Sequence, residues 1–258
     1  MAGPRASRRS ICLRPFRGRL VYAGSRALDY ASERGALFII PAGAPMEPSA
    51  VSVEGFEDLL RIRPPEAVFD GSRLMLPGLP PLDLEGSEIF TTRDVYVRTP
   101  SDLVMEELRA FLESRYSCEI YPAHAREVCR KLLELDLSEA DPSELSGLVG
   151  LGIGMTPSGD DFLVGVLAAL KGTDLFRDLS GVALSSAGRT NAVSAEFLRC
   201  AASGELSEDF SELIRRINSS SPLSDVLERI AGRGHTSGLE AILGLHRGLQ
   251  LRLRRVNA

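Results

Sequence analysis

In GLGIGMTPSGDDFLVGVLAAL, residues 150–170, glycines at 150, 152, 154 and 159 frame a Thr-Pro-Ser-Gly turn and two adjacent aspartates, just ahead of an apolar run. Residues of these types hold small ligands when they stand at the start of a helix. Gly152 and Gly154 permit positive φ and close backbone approach, and the unpaired amides of a helix N-terminus attract anions. Thr156 is the expected N-cap, with Pro157 at the first helical position. Asp160 and Asp161 complement the helix macrodipole, but they would repel a phosphate unless a cation lay between. A magnesium ion held by Asp160, Asp161 and substrate oxygens would reconcile the two. The loop is not a dinucleotide fingerprint, because GxGxxG is not matched and the preceding segment reads as a helix. It is not a Walker loop either: Asp160 stands where the phosphate-gripping lysine belongs. Ser158 lacks a local base, so a serine nucleophile is not indicated. A buried helix with a well-made start accounts for the same residues, and the loop alone leaves both readings open.

The signal returns near the C-terminus in GHTSGLEAILGLHRGL, residues 234–249. With Ser158-Gly159 placed on Ser237-Gly238, Gly165 falls on Gly244. Each copy reads Gly-x-Thr, then Ser-Gly, then an apolar helix. Two such starts suggest a helix pair whose N-termini face a common space. Between them, in RTNAVSAEFLRCAASGE, Thr190 or Asn191 caps a helix whose first turns hold Ser194 and Glu196. Small polar residues at a third helix start point to the same pocket, although Ser and Thr are also routine caps. His235, at the second start, suits a neutral donor or base. It lies too far along the helix from His246 for both to bind one metal ion.

The elements that must position these residues fall into two regions. Residues 20–99 hold short β-prone runs, ALFII, AVSV, LLRI, AVF, RLML, EIF and DVYVR, separated by Gly and Pro turns. Asp70-Gly71 between AVF and SRLML reads as a hairpin turn. From residue 100 the spacing becomes helical. Ser101 and Asp141 are expected caps, the latter with Pro142 and with Glu144 completing a capping box. Ser207 and Ser221-Pro222 open two more helices, with Gly204 and Gly232 as stops. The expected fold is α+β: a β-rich, barrel- or sandwich-like region at 20–99, then an all-helical domain at 100–258. The basic residues 1–19 are expected to be a disordered tail.

Composition narrows the function classes. A hydrophobic content of 44% with 25% charged residues is that of an ordinary globular protein. A net charge of −5 argues against a nucleic-acid-binding body. No apolar run is long enough to cross a bilayer, and no signal-like apolar stretch follows the basic start. Cys12, Cys118, Cys129 and Cys200 form no CxxC pair, which suits free thiols in a reducing cytoplasm.

Taken together, the blocks at 150–170, 190–205 and 234–245 resemble those of the AllH-type family. Its best-placed members are a subunit of oxamate carbamoyltransferase. The resemblance covers about 140–250. It implies a cytoplasmic protein that works with other subunits and moves a carbamoyl group between phosphate and the amide nitrogen of oxamate, forming oxalurate. The matching positions are Gly152, Gly154, Thr156, Ser158 and Gly159, then Thr190, Asn191 and Ser194, then Thr236, Ser237 and Gly238, as ligand-binding residues. Asp160, Asp161 and His235 are the candidate catalytic groups. Magnesium at Asp160 and Asp161 is the one cofactor considered, and a small anion is the expected substrate. Two other readings stand beside this one: a non-catalytic binding or assembly subunit, and a metal-dependent hydrolase using the aspartate pair.

Overall fold

The computed structural model describes residues 4–256 and divides into two compact units. One runs to Thr92 and includes the short segment Glu205–Glu208. The other comprises Arg93–Gly204 and the chain from Asp209 onward.

The first unit is built on nine strands: β1 (Arg5–Ser10), β2 (Phe16–Gly24), β3 (Ala27–Ser32), β4 (Gly35–Pro41), β5 (Ala50–Glu54), β6 (Glu66–Phe69), β7 (Arg73–Met75), β8 (Leu82–Asp83) and β9 (Glu88–Phe90). They form one sheet in the order β8-β7-β6-β2-β3-β4-β5-β1-β9, curled into a half-barrel. The pairs β4/β5 and β1/β9 are parallel and the rest antiparallel. Alternation decides which face is inside: in β3, Leu28 and Tyr30 are fully buried while their neighbours are not. They pack with Leu37, Ile39, Val51, Val53, Phe69 and Leu74. Asp70-Gly71 does turn a hairpin, with Phe69 opposite Leu74.

Three expectations change here. Residues 5–19 are not a tail, because Arg5–Ser10 pairs with β5 and β9. Arg8 makes two hydrogen bonds to Glu208, 2.9 and 3.0 Å, and lies over the Phe90 ring. LLRI belongs to helix α1 (Phe56–Ile62), whose Phe56 and Leu59 are buried at helical, not alternating, spacing. DVYVR forms no strand. Its backbone is held by one side chain, Asn218, which accepts from Arg98 N and donates to the Tyr96 carbonyl.

The second unit is helical: α2 (Asp102–Arg115), α3 (Arg126–Glu134), α4 (Pro142–Ser146), α5 (Ser158–Leu170), α6 (Asp174–Ser186), α7 (Ala192–Ala202), α8 (Glu208–Ser219, its first residue counted with the other unit), α9 (Ser224–Ala231) and α10 (Ser237–Val256). Ser101 caps α2, and Asp141 with Glu144 forms the capping box of α4. Leu223, not Ser221, stands at the N-cap of α9. α5 is apolar nearly all round, and accordingly it is the buried helix of the unit.

α5 and α10 run side by side at backbone contact. A Cβ on Gly165 would collide with the Ala241 carbonyl, and one on Gly244 with the Phe162 carbonyl. With Ser158 placed on Ser237, residues 162 and 165 correspond to 241 and 244. The two contacts are therefore one contact made twice, across a pseudo-twofold axis between the helices. Gly159 and Gly238 repeat the pattern at the helix starts, each pressed on a carbonyl of the preceding segment, Leu148 or Ile230. Among the described residues no helix is long and apolar enough to cross a membrane. Among the described residues the four cysteines form no disulfide.

Candidate functional site at the paired helix starts

Packing α5 on α10 brings their N-termini together: Thr156 Oγ1 and Ser237 Oγ are hydrogen-bonded at 2.9 Å. Thr156 is thus not the N-cap. Pro157 holds that position without a side-chain cap bond, and the Thr156 hydroxyl is turned to the neighbouring helix. The start of α7 joins the same cluster. Thr190 Oγ1 and Ser194 Oγ donate to Asp160 Oδ2, at 2.5 and 2.7 Å. Asn191 is the cap of α7, accepting from Val193 N and Ser194 N.

The two aspartates, adjacent in sequence, have different surroundings. Asp160 is 1% exposed and accepts three donors, since Gly150 N also bonds its Oδ1 at 2.8 Å. It ties the glycine loop, α5 and α7 together. Asp161, one residue on, turns toward α10. Its Oδ2 is buried without a hydrogen-bond partner. Burial raises its pKa well above the carboxylate range, with the Glu240 charge adding to the rise, while the hydroxyls of Ser237 and Thr156 oppose it.

Glu240 is the residue that sequence reasoning missed. It is 0% exposed, in the first turn of α10. Its Oε1 accepts from the Tyr121 hydroxyl, which is also bonded at 3.0 Å to that of Tyr116. The two rings meet edge to face, with centroids 5.9 Å apart. Glu240 Oε2, like Asp161 Oδ2, is buried with no partner. Burial raises the Glu240 pKa, opposed by the Ser158, Tyr121 and Thr236 hydroxyls and by His235. A sequence signal for it existed: the alignment that sets Ser158 on Ser237 also sets Asp161 on Glu240. Tyr121 and Tyr116 precede the matched blocks and carried none.

The remaining expected residues divide between packing and opening. Ser158 is buried at the turn, and Gly152, at φ +123, lies against it too closely for a side chain. Gly154, at φ +96, faces open space. Gly159 and Gly238 serve helix contact. Thr236 accepts from Glu240 N through its carbonyl, 3.0 Å, and His235 is exposed. A surface cavity of about 160 Å³, lined in part by Glu134, Asp136, Arg247 and Arg254, lies further along α10 and includes none of these residues.

Magnesium held jointly by Asp160 and Asp161 does not fit this arrangement. Both Asp160 oxygens are occupied by protein donors, and its neighbour faces another helix. Among the described residues no group of three or more His, Cys, Asp or Glu side chains is placed to hold a metal ion.

The residues that meet at these helix starts are those of one sequence block and its echo. Residues 148–249 match the family model described as oxamate carbamoyltransferase subunit AllH. No curated protein and no solved structure matches the chain. The AllH match begins at Leu148, whose carbonyl backs Gly159, and ends in α10 at Leu249. It therefore spans α5, α7 and α10 with their starts, and leaves Tyr116 and Tyr121 outside.

Proposed function

We propose that the chain is a subunit of a carbamoyl-transfer assembly resembling oxamate carbamoyltransferase, with a small anionic substrate held at the paired starts of α5 and α10. One observation carries the reading: within the stretch that matches the AllH family, two helix N-termini bring hydroxyls and partnerless buried carboxyl oxygens together. In the reaction that the resemblance implies, the amide nitrogen of oxamate attacks the carbonyl carbon of carbamoyl phosphate. A C–N bond forms, the C–O bond to phosphate breaks, and phosphate leaves with the electron pair. One proton of the attacking nitrogen must pass to a base.

Asp161 has the character of that base. Its Oδ2 is buried without a partner, and burial raises its pKa, so its carboxylate is a stronger base than a solvated one. The N-terminal amides of the two helices make a setting favourable to negative charge, and the hydroxyls of Thr156, Ser158, Thr236 and Ser237 face the two carboxyls. Asp160 acts through others by holding Gly150, Thr190 and Ser194 in place. His235 lies close enough to favour the charged form of Glu240.

A second reading, an assembly subunit without its own chemistry, is favoured by Ile153 and Met155, 56% and 37% exposed in the glycine loop. Reconstitution tests whether the chain is needed, and the assembly carrying Asp161→Asn separates the two readings. Oxalurate formation from carbamoyl phosphate and oxamate by the partner subunits should require this chain. Omitting it should abolish turnover, whereas full turnover without it would defeat the catalytic reading.

A further inference from the structure

Two acceptors in this site lack donors. Asp161 Oδ2 and Glu240 Oε2 are buried and partnerless, although Asp160 beside them has three donors on its two oxygens. A buried carboxyl oxygen without a donor is costly, and here two occur at positions related by the pseudo-twofold axis. Glu240 is held in place from behind. Tyr121 occupies its Oε1, and Tyr116, 3.0 Å from Tyr121 oxygen to oxygen, fixes Tyr121 in turn. Its Oε2 has no hydrogen-bond partner.

With both carboxyls ionised, as the base role of Asp161 requires, such a pair calls for a ligand group that brings two hydrogen-bond donors. A carboxylate or phosphate oxygen brings none. An ammonium ion brings donors, but its charge is disfavoured at two helix N-termini. The –NH₂ of a carboxamide or ureido group is neutral, planar and carries two N–H bonds.

We propose that Asp161 Oδ2 and Glu240 Oε2 jointly accept the two N–H bonds of a neutral –NH₂ group of the ligand, a carboxamide or ureido nitrogen, with Tyr121 as the positioning residue for Glu240. Glu240 is thereby a ligand-binding residue, and the pair determines specificity. A site built to accept two N–H bonds rejects an analogue that offers oxygen lone pairs in their place. The inference rests on the proposed location of the site, not on carbamoyl transfer.

Oxamate and oxalate test it, because they differ by –NH₂ against –O⁻. Titration calorimetry on the full chain should give oxamate an affinity at least about tenfold above oxalate. Glu240→Gln should reduce that ratio toward one. Tyr121→Phe, which does not touch the ligand, should weaken oxamate while leaving oxalate as it was, and it serves if Glu240→Gln fails to fold. Equal affinities, no oxamate binding, or ammonium chloride displacing oxamate at comparable concentration would overturn the proposal. Preference for oxamate without transfer by the assembly keeps this inference and discards carbamoyl transfer. Transfer without the preference does the reverse.

Discussion

At the scale of single residues, Asp160 and Asp161 show how one step along a helix, about 100° of rotation, separates a carboxyl supplied with donors on both oxygens from one with a buried oxygen that has none. Asp160 is fully supplied with donors. Asp160→Asn sets an NH₂ against groups that donate, and should cost about 2–3 kcal/mol of stability, read as a lower urea midpoint. Asp161 is the opposite case. Burial raises its carboxyl and that of Glu240 in the folded state, whereas the unfolded chain titrates them near pH 4. Folding therefore takes up protons above about pH 4. What these groups contribute to stability is full below that pH and is lost as pH rises through their native pKa values. Asp161→Asn removes one of them, so the variant should gain stability relative to the parent as pH rises above about 5. A difference in urea midpoints that shrinks over this range would contradict the assignment.

At the scale of elements, the site exists because α5 and α10 approach at backbone distance, and glycine makes that approach possible. Gly165→Ala sets a methyl group against the Ala241 carbonyl and should cost about 1–3 kcal/mol, the range for overpacking. Gly181→Ala in α6, with nothing within 4 Å of the new methyl, should stabilise by about 0.5–1 kcal/mol; thermal melting of both variants checks the contrast. The echo of Ser158-Gly159 and Gly165 at 237–244 was legible in sequence because close helix packing demands small residues at fixed spacing. The partnership of Asp161 with Glu240 was not taken from it, since attention to glycine passed over a carboxyl that changes type between the copies. Tyr121 could not be found that way, because its contact with Glu240 spans 119 residues. Capping was legible at Ser101 and Asp141, where the bond is local, and at α7 the cap fell on Asn191, one of the two residues expected there. It failed at Thr156, whose partner is another helix. The basic stretch at 1–19 misled for the same reason: Arg8 faces acids at 88 and 208.

At the scale of the molecule, each of the two units is held by its own contacts, and the sheet unit includes four residues from far along the chain. Glu205, 3% exposed, accepts from Thr91 Oγ1 at 2.8 Å, Thr92 N at 2.7 Å and Thr92 Oγ1 at 3.2 Å. Glu205→Ala leaves a buried amide without its acceptor and should cost about 1–3 kcal/mol, visible in urea unfolding of the full chain. The change from β-rich to helical sequence grammar was legible, since alternation and helical spacing differ along the chain. The return of Glu205–Glu208 was not, because four residues carry no period. The central claim belongs to this scale as well, for the chemistry attributed to the helix starts needs the assembled protein. Its most direct test is kcat for oxalurate formation by the reconstituted assembly carrying Asp161→Asn. The account predicts a fall of about 10²-fold or more with the thermal melt of the variant intact, and an unchanged kcat would contradict it.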